Sequence, residues 1–138
     1  MGEDYRLIRY LDPQGRPFWE LAPSSCKETE FQKLMQNPRT MNSVRKLIAQ
    51  ISKIMDYGIQ KSCATSKLRC IDASIGLYEI KGFDGANREM AYVICKSPAQ
   101  IVLLHWFKGH QGSSNISPEI KHAKPLALKA ASLLKTID

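Results

Sequence analysis

"GLYEIKGFDGANREMAYVICKSPAQIVLLHWFK", residues 76–108, decides the fold. Apolar and polar residues alternate through it with a period of two, the mark of half-buried strands. Residues 76–83, 88–95 and 100–107 read as three strands. Asp84-Gly85 and Ser97-Pro98 provide turn chemistry between them, so the strands form an antiparallel meander. "KLRCIDA" (67–73), just upstream, reads as a further short strand.

Further upstream the period changes. In "TMNSVRKLIAQISKIMDYG" (40–58), Val44, Leu47, Ile48, Ile51, Ile54 and Met55 recur at three- and four-residue steps. That spacing predicts an amphipathic helix, with Gly58 as its stop. "PSSCKETEFQKLMQN" predicts an earlier helix, with Ser24 or Ser25 as N-cap and Glu28 completing a capping box. Asn37-Pro38 ends it. A short Pro-containing turn between the two helices predicts an antiparallel helical hairpin. "YRLIRYL" (5–11) is rich in strand formers and runs into the turn "DPQGRP". "FWELA" after that turn reads as a short connector or a helical turn. "SPEIKHAKPLALKAASLLKTI" (117–137) predicts a terminal helix with Ser117 as N-cap and Pro118 at N1. Pro125 inside it predicts a kink or two consecutive pieces. The expected architecture is α+β: an N-terminal helical hairpin packed on a twisted antiparallel sheet of about four to five strands, with a C-terminal helix.

The 138 residues, 43% of them hydrophobic, suit one domain over 1–138 with one real core. Charged residues interrupt every apolar run before it reaches membrane-spanning length, and "MGEDYRLIRYLD" has no apolar signal core. A soluble, cytoplasmic protein without membrane contact is expected. Cys26, Cys63, Cys70 and Cys95 form no C-x-x-C pair and have no histidine at metal spacing. They read as reduced and structural, and no metal or cofactor is expected. The net charge of +7 is concentrated in residues 58–138, which hold 11 Lys/Arg against 6 Asp/Glu. Such a basic half fits a polyanionic partner, or serves solubility alone.

With Asp84-Gly85 as a two-residue turn, Lys81 falls opposite Arg88 and Glu79 opposite Met90. Facing cations destabilise a sheet. Glu79 on the diagonal, a bound anion, or side chains splayed into water would relieve them. With Ser97-Pro98 as the next turn, Met90 faces His105 and Arg88 faces Phe107. One face then carries Glu79, Lys81, Arg88, His105 and Phe107. The other carries Tyr78, Ile80, Val93, Val102 and Leu104, suited to helix packing. Trp106 and Lys108 point away from the charged face. His122, mid-helix, reads as solvated or packed.

"GLYEIK", "GANREMAYVI" and "IVLLHWFKGHQG…SPEIKHAK", in this order and spacing, resemble the RelE/ParE toxin superfamily. The similarity is to its HigB-like, phage-derived host-inhibition branch. The opening "YRLIRYLDPQGRPFWELA" is similar to that family's first strand and following loop. The resemblance implies the toxin of a type II toxin–antitoxin system, an endonuclease cutting mRNA on the ribosome. It implies a helix-turn-helix antitoxin partner and metal-independent attack by the 2′-hydroxyl on the adjacent phosphate. Arg88 matches the family's arginine in that motif, and Lys81 stands where the family has another. These two would hold the scissile phosphate, Lys81 without an arginine's bidentate fork. His105 or His110 would be the acid/base group, since histidine titrates near neutrality. Lys108 and Lys67 would be electrostatic helpers. Lys67, Arg69, Phe107 and Gln111 would contact RNA. Two other readings stay open: a ParE-like gyrase inhibitor without nuclease activity, and a non-catalytic RNA- or protein-binding protein on the same scaffold.

Overall fold

The computed structural model describes residues 4–59, 68–84, 87–95, 100–108 and 117–135. A β-hairpin opens the chain. Strand β1 (Tyr5–Leu11) pairs antiparallel with β2 (Pro17–Pro23), Leu7 opposite Leu21 and Arg9 opposite Trp19. Helices α1 (Glu30–Gln36) and α2 (Met41–Tyr57) follow. Then come β3 (Leu68–Asp72), β4 (Leu77–Asp84), β5 (Asn87–Cys95), β6 (Ile101–Lys108) and α3 (Ser117–Leu134). The six strands lie in the order β1-β2-β6-β5-β4-β3.

This corrects the expected architecture. "FWELA" is part of a strand, because Phe18, Glu20 and Ala22 are buried on one face while the backbone pairs on both edges. Its second partner is β6, in parallel, through Trp19–Val102 and Glu20–Leu103. The sheet is therefore mixed and six-stranded. The expected N-terminal helical hairpin is replaced by a β-hairpin followed by a two-turn α1 and a longer α2. Thr29, with Gln32, forms the capping box of α1, so the helix starts later than the Ser24/Ser25 signal indicated.

Glu20 explains that late start. Its carboxylate is buried, with 4% of the residue exposed. It accepts from Tyr10 Oη (2.7 Å), Thr29 Oγ1 (2.6 Å) and the Phe31 backbone N–H (3.2 Å). The first turn of α1 is thus fastened to β2 by a side chain. Burial pushes the Glu20 carboxyl above its ordinary value, against the hydrogen bonds from Thr29, Tyr10 and Phe31.

A second polar node ties the β1–β2 turn to α2. Asp12 accepts from the backbone N–H groups of Gln14 and Arg16, from the Arg16 guanidinium (2.9 Å) and from Ser52 Oγ (2.9 Å). Arg16 also reaches Asp56 at 2.6 Å. Gly15, at φ 81°, closes the turn in a conformation that favours glycine. Burial alone would raise the Asp12 carboxyl. The Arg16 backbone and side-chain bonds and the Ser52 hydroxyl outweigh it and hold the group at about 2.

Helices cover both faces of the sheet. Val44, Leu47, Ile51 and Ile54 of α2 and Phe31 of α1 pack on Ile80, Val93, Ile101 and Leu103. The α2 stripe and its Gly58 stop (φ 86°) match the sequence pattern. On the other face Ala123, Ala127, Ala130 and Leu134 of α3 pack on Leu21, Leu77, Ile94, Val102 and Leu104. Small side chains let the helix approach closely. α3 runs through Pro125 as one helix, with that residue on its exposed side.

Two registers differ from the expected ones. The β4–β5 register is displaced by two positions from the expected one: Asp84 faces Asn87, Lys81 faces Met90, Phe83 faces Arg88 and Glu79 faces Tyr92. In β5–β6, His105 faces Tyr92 and Phe107 faces Met90, and the register shifts between Tyr92 and Val93. That shift is a bulge with Leu104 as the extra residue. It turns Val102 and Leu104 onto the α3 face, and gives Ile101 and Leu103 to the α2 face.

Glu20→Ala removes the acceptor of two hydroxyls, Tyr10 and Thr29, and of a helix-terminal N–H. It is expected to lower unfolding free energy by about 3 kcal/mol. Glu20→Gln, whose amide can serve both hydroxyls and the N–H, costs about 1 kcal/mol. Chemical denaturation of both variants checks this. Asp12 has a folded-state value below the ordinary 3.8. Its stabilisation is present above that value and is lost as pH falls from 3.8 to about 2. Asp12→Asn should remove on the order of 2 kcal/mol at neutral pH and flatten acid denaturation across that window, read from thermal melts against pH.

Candidate nucleic-acid interface

Cross-strand register builds the candidate site on the α3 face. One row runs Arg69 (β3), Glu79 (β4), Tyr92 (β5), His105 (β6). The row on one side, Leu77, Ile94 and Val102, is aliphatic and lies under α3. On the other side the next row holds Lys81, Met90 and Phe107, and the one beyond it Phe83 and Arg88. The face therefore changes from aliphatic to ionisable at the Glu79–His105 row. Lys81 and Arg88 are diagonal neighbours, so the direct cation–cation opposition expected from the sequence does not arise.

Of the sequence-predicted residues, Arg88, Lys81, His105, Phe107 and Arg69 share this face by register. Lys108 faces Glu89 in the ladder and falls on the opposite face. Lys67, His110 and Gln111 lie outside the described residues.

Arg69 Nε stands 3.5 Å from Glu79 Oε1. The Glu79 side chain is 2% exposed and that of Arg69 is 53% exposed. The pair spends a buried carboxylate on an arginine whose outer surface is wet. Glu79 thus has Arg69 as a partner, and in the observed register Arg88 faces Phe83, two rows away, instead of lying on the diagonal expected from the sequence.

His105 meets two groups that sequence reasoning passed over. Its ring lies 4.6 Å from the His122 ring, centroid to centroid, edge to face at 65°. Its Nδ1 is 3.8 Å from Glu30 Oε2. Three elements converge here: β6 brings His105, α3 brings His122, and α1, fixed by the Glu20 network, brings Glu30. The His105 side chain is 19% exposed, at the edge of a cleft of about 320 Å³. A signal for His122 existed. It precedes Ala123, the first member of the Ala123–Ala127–Ala130 stripe, so a helical wheel places it beside the sheet-facing edge. Nothing in the sequence pairs it with position 105.

Two adjoining imidazoles and several cations placed on one sheet face by register can handle a phosphodiester. Among the described residues, no group of three or more His, Cys, Asp or Glu could hold a metal ion, and no helix is long and apolar enough to cross a membrane. His122→Leu should shift the His105 imidazole C–H signals in NMR spectra at constant pH, because it removes an aromatic ring from edge-to-face contact. Unchanged signals would separate the two rings. Models of protein families, curated proteins and solved structures were compared with the chain, and none matches it.

Proposed function

We propose that this protein is an endoribonuclease toxin that cuts mRNA on the ribosome by metal-independent attack of the 2′-hydroxyl. The observation that carries the reading is the shared face of Lys81, Arg88 and His105, with Arg69 in the His105 row. The resemblance of the β4–β6 motifs to RelE/ParE toxins supports it. The reading rests on those motifs and not on the expected helical hairpin.

The chemistry asks for little. A base takes the 2′-hydroxyl proton as the 2′-oxygen bonds to phosphorus. The bond from phosphorus to the 5′-oxygen breaks, and an acid protonates that oxygen. The products are a 2′,3′-cyclic phosphate and a 5′-hydroxyl. Arg88 and Lys81 hold the phosphate and stabilise the extra negative charge of the pentacovalent state. Arg88 is the stronger grip, because its guanidinium can bond two oxygens at once. His105 is the acid/base group of this reading. A helix-turn-helix antitoxin belongs to the same proposal as the natural inhibitor.

Inducible expression in a bacterium, read by primer extension on a translated message, tests the reading. Codon-phased cuts that vanish when translation is blocked are expected. Arg88→Ala should reduce cutting on the order of 100-fold with unchanged protein level. Growth arrest with intact mRNA would overturn the nuclease and leave a binding toxin, such as a gyrase inhibitor. No arrest at all would leave a binding protein.

A further inference from the structure

The cleft beside His105 reaches beyond the Lys81–Arg88 phosphate grip described above. It opens between β1, β2, α1, β6 and α3. Its walls are mainly apolar, with Tyr5, Leu21, Pro23 and Leu126 among them. Its polar lining includes His105, His122 and Glu30, with Glu20 and Thr29 of the buried network. Its volume, about 320 Å³, lies at the small end of the range for ligand pockets, and its lining has their usual make-up of apolar walls and a few converging polar groups.

We propose that this cleft is a nucleotide subsite, taking one base against the Tyr5–Leu126 wall and the phosphate attached to it at the His105–His122 pair. The proposal rests on the RNA reading of the same face and names the part of the substrate that the cleft holds. Three observations carry it. First, an aromatic and aliphatic wall suits the π-face of a base, which stacks without regard to sequence. Secondly, two imidazoles from separate elements meet at the mouth. Each has an N–H donor in its neutral form and two when protonated, so together they match the several oxygens of one phosphate. Thirdly, the cleft adjoins the end of the Arg69–Glu79–Tyr92–His105 row, and the Lys81 and Arg88 rows continue along the same face. The phosphate at His105 would therefore lie on the face that carries those cations. Glu30, 3.8 Å from His105 Nδ1, is a positioning residue for that ring.

The test is an NMR titration of the intact protein with 3′-nucleoside monophosphates and, separately, with inorganic phosphate. Histidine C–H and leucine methyl signals are the readout. The nucleotide should move His105, His122, Leu21 and Leu126 together and bind about tenfold more tightly than inorganic phosphate. His122→Leu, at an exposed position, should weaken the nucleotide about tenfold and leave the leucine signals of the α2 layer in place. Equal affinity for inorganic phosphate would overturn the proposal, since the imidazoles would then hold an anion and the cleft no base. Perturbation that skips Leu21 and Leu126 would also overturn it. The two readings fail separately. Nucleotide binding without mRNA cutting keeps the subsite and removes the nuclease. Cutting that persists in His122→Leu, with no nucleotide-induced shifts in the cleft, does the reverse.

Discussion

The buried carboxylate of Glu20 holds three elements in place at once. It sits on β2 and takes hydrogen bonds from a β1 tyrosine, from the N-cap of α1 and from the backbone one residue inside that helix. A carboxylate removed from water is costly unless its oxygens are satisfied. Three donors, one from β1 and two from the start of α1, meet that demand, and the demand in turn fixes where α1 begins. Because Glu30 is the first residue of α1, the same bonds set the acidic group that approaches His105. An internal stability requirement thereby positions one side of the candidate site.

The bulge at Leu104 sets the other side. Without it, strict alternation would turn either Leu104 or His105 away from the α3 face. With it, Leu104 packs under α3 and His105 lies on the same face one step further. Bulges commonly re-aim a side chain beside a functional site. Here one extra residue lets a core strand end in an imidazole that both touches a helix and borders a cleft. The β6 sequence "IVLLHWFK" thus serves two faces: Ile101 and Leu103 seal the α2 core, and Val102 and Leu104 seal the α3 core.

Strand β2 shows how local patterning misleads. "PFWELAP" is bounded by prolines and contains a glutamate, and in isolation it resembles a connector. It becomes a strand because β1 pairs on one edge and β6 on the other, a parallel contact between residues more than eighty positions apart. The charge of Glu20, unfavourable for a buried strand position, is compensated by groups outside the strand. Propensity describes the local cost alone, and tertiary hydrogen bonds reversed its sign.

The sequence by itself determined the meander of β4 to β6, the apolar stripe of α2 and its glycine stop, and the terminal helix. In each, the hydrophobic period is long enough to outweigh local ambiguity. It also determined that Glu79, Lys81 and Arg88 share one face, since a β4–β5 register moved by two positions preserves parity. In β6 the expected register failed: Val102 and Leu104 lie on the face of Leu77 and Ile94 rather than that of Ile80 and Val93, and only the bulge at Leu104 returns His105 and Phe107 to the expected face. Tertiary structure alone decided the rest. It made β2 a strand and placed helices on both faces. It divided β6 between two cores through a bulge and brought His122 and Glu30 to His105. Those outcomes depend on contacts between residues far apart in the chain, whose energies come from burial and hydrogen-bond satisfaction in three dimensions, and such terms leave no period in one.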